Sequence, residues 1–431
     1  MLRAPHCHCV CCKWWKPDKA LVTAHGCAFP GVWPTSAQSS TGWPPGKQCS
    51  IDSMWFAQVF TSPKLRTRQF RVILLKIDTV AASYSQTFQR AGTIGGMNIV
   101  ILDDYQDVVR KLACATKLEP YQARVYTNTV KGLGQLAVRL KDADVIVLNR
   151  ERTHLPRALI DKLPRLKMIS QTGRIGPHVD VNACTEKGIA VAEGAGSPVA
   201  PAELTWTLMM AAMRRLPQYI GNLKHGAWQQ SGLKSTSMPP NFCLGTTLKG
   251  RVLGIWGYGR VGQLVAGYGK AFGMRVMVWG RAPSLERTIL DGFEVTGSRE
   301  ELFEQSDVLS LHLRLNEETH GIVQLEDLSR MKPSALLVNT SRAELLEPDA
   351  LLAALNRGRP GMAAIDVYES EPILQGHALL RLENCVCTPH IGYVELDSYE
   401  LYFGTAFDNV VNFIKGHPTN IVNPGALQVR R

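Results

Sequence analysis

No stretch of the 431-residue chain approaches the ~18 consecutive apolar residues that a bilayer-crossing helix needs, so no membrane partner is expected. An apolar core soon after a basic start would mark a secretory leader, and MLRAPHCHCVCCKWWK offers none. Acidic residues are scarce at one end. Residues 1–96 hold 11 Lys/Arg against 3 Asp/Glu, whereas the other 335 residues hold 37 against 34. The net charge of +11 is thus mostly that segment's, and the near-neutral remainder gives no reason to expect a nucleic-acid partner.

Paired cysteine spacings of the zinc-binding kind are also missing. Six of the eleven cysteines (Cys7, Cys9, Cys11, Cys12, Cys27 and Cys49) crowd the start, but CHCVCC fits no usual zinc pattern and no second ligand pair comes after it. No metal site is expected. The other five (Cys114, Cys184, Cys243, Cys385 and Cys387) are scattered through apolar segments, as suits a reducing cytoplasm. The segment GWPPGKQ imitates a phosphate loop but is one residue short and lacks Ser/Thr after Lys47. Residues 1–96 carry five of nine tryptophans and no sustained period, and read as a disordered or non-native extension. Met97 opens the first strand–turn–helix pattern, MNIVILDDYQDVVRKL, and is the expected natural start.

Beyond Met97 the pattern is regular. Apolar runs of strand length, NIVILDD, ARVYTN, DVIVLNR, LKMISQT and GIAVAEG, alternate with helical or turn-rich stretches. That rhythm predicts a parallel sheet covered by helices. A long apolar helix in SPVAPAELTWTLMMAAMRRL leads to a second series: RVLGIWG, RVMVWG, DVLSLHL, ALLVNTS, GMAAIDV and NCVCTPH. Six strand candidates with intervening helices make a second doubly wound sheet. The tail YELYFGTAFDNVVNFIKGHP reads as one more amphipathic helix, stopped by Gly416 and Pro418 and packed back on the first sheet. The expected division is a substrate domain over 97–200, completed by 393–431, and a nucleotide-binding domain over 201–392. The fold class is α/β, two doubly wound parallel-sheet domains, a Rossmann domain inserted into a flavodoxin-like one. His312, in SLHLRL, is expected mid-strand, as core or pocket wall.

The segment RVLGIWGYGRVGQLVAGYGKAFGMRVMVWGR carries a dinucleotide fingerprint between a strand and a helix. Gly257 permits the tight turn, Gly259 lets backbone near Arg260 and Val261 approach a pyrophosphate, and Gly262 allows helix and strand to pack closely. The acid that should end the next strand and hold the adenosine ribose is absent: Gly280 and Arg281 stand there. Arg281 can pair with a 2′-phosphate, which points to NADP or dual use over NAD alone.

LLVNTSRAELLEPDALLAAL, AAIDVYESEP and CTPHIGY, with AELTWTLMMA and the fingerprint, resemble the D-isomer-specific 2-hydroxyacid dehydrogenases over about residues 97–431. The resemblance implies a catalytic set of Arg342, Glu371 and His390. It implies hydride exchange between nicotinamide and a small 2-oxo or 2-hydroxy acid, acting on a CH–OH group. His390 then serves as general acid/base, Glu371 fixes its tautomer, and Arg342 holds the substrate's carboxylate or carbonyl. The resemblance also places Thr340 and Asp366 beside the nicotinamide, Asp366 meeting its carboxamide, and Arg150 near the substrate. Its substrate loop falls on Gly173, Arg174, Ile175 and Gly176, with Ile175 where the family commonly has glycine. Ala343 and Tyr393 likewise replace glycines, so the pocket is reshaped and substrate identity does not carry over. Relatives are usually homodimers, the helix near 201–216 lying between coenzyme domains. A nucleotide-sensing scaffold of the same fold is the alternative; it would not need all three catalytic positions filled. A formate-dehydrogenase-like reading would expect Gln in place of Thr388.

Overall fold

A computed structural model describes residues 96–231 and 244–430. The expectations for the cysteine cluster, the GWPPGKQ segment and the start at Met97 therefore rest on residues outside those described, apart from Gly96 and Met97 themselves. So does Cys243.

Two parallel sheets organise the chain. The first contains β1 (Asn98–Ile101), β2 (Gln122–Val125), β3 (Val145–Leu148), β4 (Met168–Gln171) and β5 (Ala190–Ala192). Their spatial order is β2-β1-β3-β4-β5. The second contains β6 (Val252–Trp256), β7 (Arg275–Trp279), β8 (Glu294–Val295), β9 (Val308–Leu311), β10 (Leu336–Asn339), β11 (Met362–Ile365) and β12 (Cys385–Cys387). These run β12-β11-β10-β9-β6-β7-β8, with the order reversing between β9 and β6. In open α/β sheets the crevice at such a reversal, beyond the strands' carboxyl ends, is where ligands bind.

Burial on both faces explains why the strands are apolar without a break. In the first sheet Ile99, Ile101, Val145, Val147 and Met168 face one core, and Val100, Ile146, Leu148 and Ile169 face another. The second sheet divides in the same two-residue period, with Leu309, Leu311, Leu337 and Ile365 on one side and Val308, Leu336, Val338 and Ala364 on the other. The helix Leu396–Ile414 covers the first sheet with Phe403, Phe407, Val410 and Phe413. It is started by Glu395, whose carboxylate accepts from Asp397 N and Ser398 N. It is tied down where Ser170 Oγ donates to the Ala406 carbonyl at 2.9 Å.

Four expectations change. The stretch after β1 forms two 3₁₀ segments, Val109–Lys111 and Ala113–Leu118, in place of one helix. They suit a chain held close to Leu396–Ile414, with Glu400 accepting from Ala113 N and Cys114 N. β8 has no counterpart among the six strands expected, because two residues at a sheet edge leave no period to read. His312 lies just past the end of β9, not mid-strand. The helix expected near 201–216 runs Val199–Met213; after it Arg215 adopts a left-handed φ of 55° and a second helix, not expected from the sequence, runs Leu216–Lys224. Among the described residues no helix is long and apolar enough to cross a membrane, and no cluster of three metal-ligating side chains occurs.

Candidate active site

The fingerprint turn comes directly after β6. Gly257 has φ +101°, and a Cβ there would stand 2.7 Å from the His312 carbonyl oxygen. A Cβ on Gly262 would meet the Gly257 carbonyl oxygen at 2.3 Å. Only glycine lets the helix Arg260–Ala271 start this close to its strand. Gly259 is the opposite case: its Cβ would meet nothing within 4 Å, so open space lies before a twelve-residue helix's N-terminus. Steric need at two positions and vacancy at the third fit a pyrophosphate there. Arg260 is exposed and reaches toward the Gly196 carbonyl at 3.5 Å, while Val261 is half-buried. At the end of β7, Gly280 is half-buried near Gly257, and Arg281 is exposed with no ion-pair partner among the described residues.

The loops after β10, β11 and β12 carry the three candidate catalytic residues, Arg342, Glu371 and His390. Buried Asn339 shapes the first, its side chain accepting from Ser341 N and donating to the Arg342 carbonyl. Thr340 Oγ1 lies 2.7 Å from Thr205 Oγ1 on the helix Val199–Met213. Arg342 donates to the Ser341 carbonyl at 2.8 Å and to Glu151 Oε2 at 3.1 Å, across the cleft between the sheets. His390 Nδ1 lies 2.6 Å from Glu371 Oε2, and Glu371 Oε1 accepts from Tyr368 N. Burial pushes the Glu371 carboxyl up, but the bond and charge of His390, the Tyr368 amide and the Arg342 guanidinium outweigh it. The group ends below the ordinary carboxylate range.

Asp366, expected against a carboxamide, is fully buried and accepts three hydrogen bonds. One oxygen accepts from Thr388 Oγ1 at 2.7 Å and Ile391 N at 2.9 Å, the other from Gly392 N at 2.9 Å. These bonds hold the loop that carries His390, a residue with φ +52°. Burial raises its pKa against the pull of those donors.

Residues from the first sheet close the site. Arg150 lies over the rings of Tyr393 and Tyr402, at 5.3 and 5.7 Å, and the Tyr393 ring stands 6.0 Å from that of His390. Gly173 makes room for this: a Cβ would meet Arg150 Nη1 at 2.3 Å. Arg174 is exposed and its carbonyl accepts from Gln171 Nε2. The Ile175 amide, which in a glycine-rich loop would face a carboxylate ligand, is instead directed to Glu193 Oε2 at 3.4 Å.

Sequence reasoning misses Glu151 and Arg152. Glu151 is raised by burial but held below its ordinary range by Arg342, His178 and Arg150. Arg152 donates to the Asp103 carbonyl and lies 4.5 Å over the Tyr105 ring. Their one signal is alternating charge in RERT, directly after a buried strand's end. His178, buried and lowered to about 4 by that burial, lies beside them.

Comparison with known proteins agrees with this fold. A family model described as "D-isomer specific 2-hydroxyacid dehydrogenase, NAD binding domain" matches residues 206–392. A glyoxylate reductase from Aeropyrum pernix is 36% identical over 275 residues, covering 63% of this chain and 81% of that protein. A hydroxypyruvate reductase from Blautia hydrogenotrophica is 31% identical over 338 residues, covering 76% and 100%. A solved structure from Ralstonia solanacearum, described as a D-3-phosphoglycerate dehydrogenase oxidoreductase, shares 63% identity with a TM-score of 0.76, covering 77% of this chain and 98% of that one. With the fingerprint, the two-sheet architecture and these relatives in agreement, the chain belongs to the D-isomer-specific 2-hydroxyacid dehydrogenase family.

Proposed function

We propose that the chain interconverts a small 2-oxo acid and its D-2-hydroxy acid, with Arg342, Glu371 and His390 as the reacting set. The observation carrying this is the 2.6 Å bond from His390 to Glu371. A carboxylate that stays ionised makes Nδ1 the donor. That leaves Nε2, which has no partner among the described residues, to exchange a proton with the substrate oxygen. Arg342 offers its guanidinium to the substrate carboxylate or carbonyl, and displaces Glu151 to do so. Arg150, with Gly173, Arg174 and Ile175 beside it, forms the substrate-facing wall. The residues Gly257, Gly259, Arg260, Val261 and Gly262 hold a pyrophosphate, Gly280 and Arg281 meet the adenosine ribose, and Thr340 and Asp366 lie toward the nicotinamide end. The bound nicotinamide supplies or takes up the hydride.

Arg281, exposed and without an ion-pair partner among the described residues, stands in place of an acid and favours NADP or use of both cofactors. An apolar stripe of Leu216, Ile220 and Leu223 on the helix Leu216–Lys224, all exposed, suits a second copy of the chain, so a homodimer is proposed. Together with the scattered free thiols, this suits an enzyme of the cytoplasm. Glyoxylate, pyruvate and hydroxypyruvate assayed with NADH and NADPH test the reading. Turnover of at least one acid is expected, and cofactor binding without turnover of any would favour a nucleotide-sensing scaffold instead.

A further inference from the structure

β12 begins and ends with cysteine. Residues two apart on a strand share a face, and the Cys385 and Cys387 sulfurs are 3.6 Å apart. Both are half-buried beside Leu379, Leu382 and Tyr368, whose hydroxyl also interacts with Cys387. β12 is the sheet's outer strand and pairs only with β11, Ala363 with Cys385 and Ile365 with Cys387. The next residue, Thr388, donates from its amide to the Ile365 carbonyl at 2.9 Å and from its hydroxyl to Asp366 at 2.7 Å. Its carbonyl accepts from Tyr368, whose amide holds Glu371. His390 lies two positions further on.

We propose that Cys385 and Cys387 are a reversible dithiol–disulfide site for peroxide, set at the base of the loop that carries His390. The Cys387 thiolate attacks the O–O bond, forming an S–O bond and releasing hydroxide. Cys385 sulfur then attacks that sulfenic sulfur: the S–S bond forms, the S–O bond breaks, and the departing hydroxide takes the thiol proton as water. Two thiols lose two electrons and one peroxide becomes two waters. Chemistry singles out this pair among the described cysteines. The Cys385 thiol's hydrogen bond draws Cys387 down to about 7 against the burial that opposes it. Burial pushes Cys114 and Cys184 up to about 12.

Alternate residues of a strand have Cα atoms about 6.6–6.8 Å apart, at the upper edge of what a disulfide spans. Closing the bond therefore puckers β12, which an outer strand of three residues permits. Such a strained bond is readily reduced. The pucker shifts Thr388 and, through it, His390 and the Tyr368–Glu371 contact. That turnover falls rests on the reaction proposed above; that the disulfide forms does not.

The test treats the reduced full-length protein with equimolar hydrogen peroxide, alkylates it, and weighs the tryptic peptide that starts at Leu382. Expected is a peptide two hydrogens lighter and unalkylated. With it, turnover of the accepted 2-oxo acid should fall by about 10- to 100-fold and return with dithiothreitol. The Cys385→Ala/Cys387→Ala protein should keep its turnover under the same treatment. Alkylated thiols or a sulfinate in that peptide overturn the proposal, as does a double variant inactivated as fast as the parent. If the reduced protein turns over no 2-oxo acid, the reaction assignment fails, while the peptide mass still decides the disulfide.

Discussion

At the residue scale, the Glu371–His390 contact has two separable consequences. Replacing His390 with Ala removes the proposed proton-exchanging group and should lower kcat by about 100- to 10,000-fold. Cofactor binding, followed by nicotinamide fluorescence, should be retained; unimpaired turnover would remove His390 from the reaction. The second consequence concerns stability. Glu371 titrates lower in the fold than in the unfolded chain, so its contribution is present above the unfolded value of about 4.3 and is lost as pH falls through the folded one. The Tm difference between parent and Glu371→Gln should be largest near neutrality and shrink through the acid carboxylate range. A difference independent of pH would mean that the ionised pair stabilises nothing. Cofactor choice also turns on single residues: Gly280→Asp restores the missing acid and should raise the NADH/NADPH ratio of kcat/KM, which an unchanged ratio would refute.

At the scale of elements, the helix Arg260–Ala271 offers a matched pair of tests. Gly262→Ala places a methyl group 2.3 Å from the Gly257 carbonyl, and backbone on both sides must move. A loss of about 1–3 kcal/mol in urea unfolding and a raised cofactor KM are expected. Gly267, in the same helix, has nothing within 4 Å of its Cβ, so Gly267→Ala should stabilise by up to ~1 kcal/mol. Equal effects from the two would mean that packing at the turn is not the constraint. The same elements show what a sequence discloses. β3, β9 and β10 are buried on both faces and announce themselves as unbroken apolar runs, and Gly257 and Gly262 as punctuation between strand and helix. β8 makes no such mark. Nor does the contact of Arg342 with Glu151, which joins positions 191 residues apart and depends on how two sheets face each other. The proposed catalytic positions, Arg342, Glu371 and His390, came from family likeness, and the structure brings Glu371 and His390 within 2.6 Å of each other. The occupation of Asp366 by Thr388, Ile391 and Gly392 was not legible, because motif spacing does not say which amides a carboxylate will find.

For the whole molecule, the helix Val199–Met213 spends its buried side chains, Ala202, Leu208, Met209 and Met213, inside its own lobe. The next helix presents an apolar face to solvent, with Leu216, Ile220 and Leu223 46%, 53% and 56% exposed at one-face spacing. Light scattering should give twice the chain mass, and Ile220→Glu should return the protein to monomer without loss of helical signal. A parent already monomeric at assay concentration would sink this.

The recess that Gly173 leaves for Arg150 has a bearing on redesign. Alanine there would act as a wedge one methyl wide, prising a cation off its two aromatic rests without adding or removing a charge. Acceptance of bulkier acids would then be adjustable by shape alone, from a residue that carries no side chain of its own.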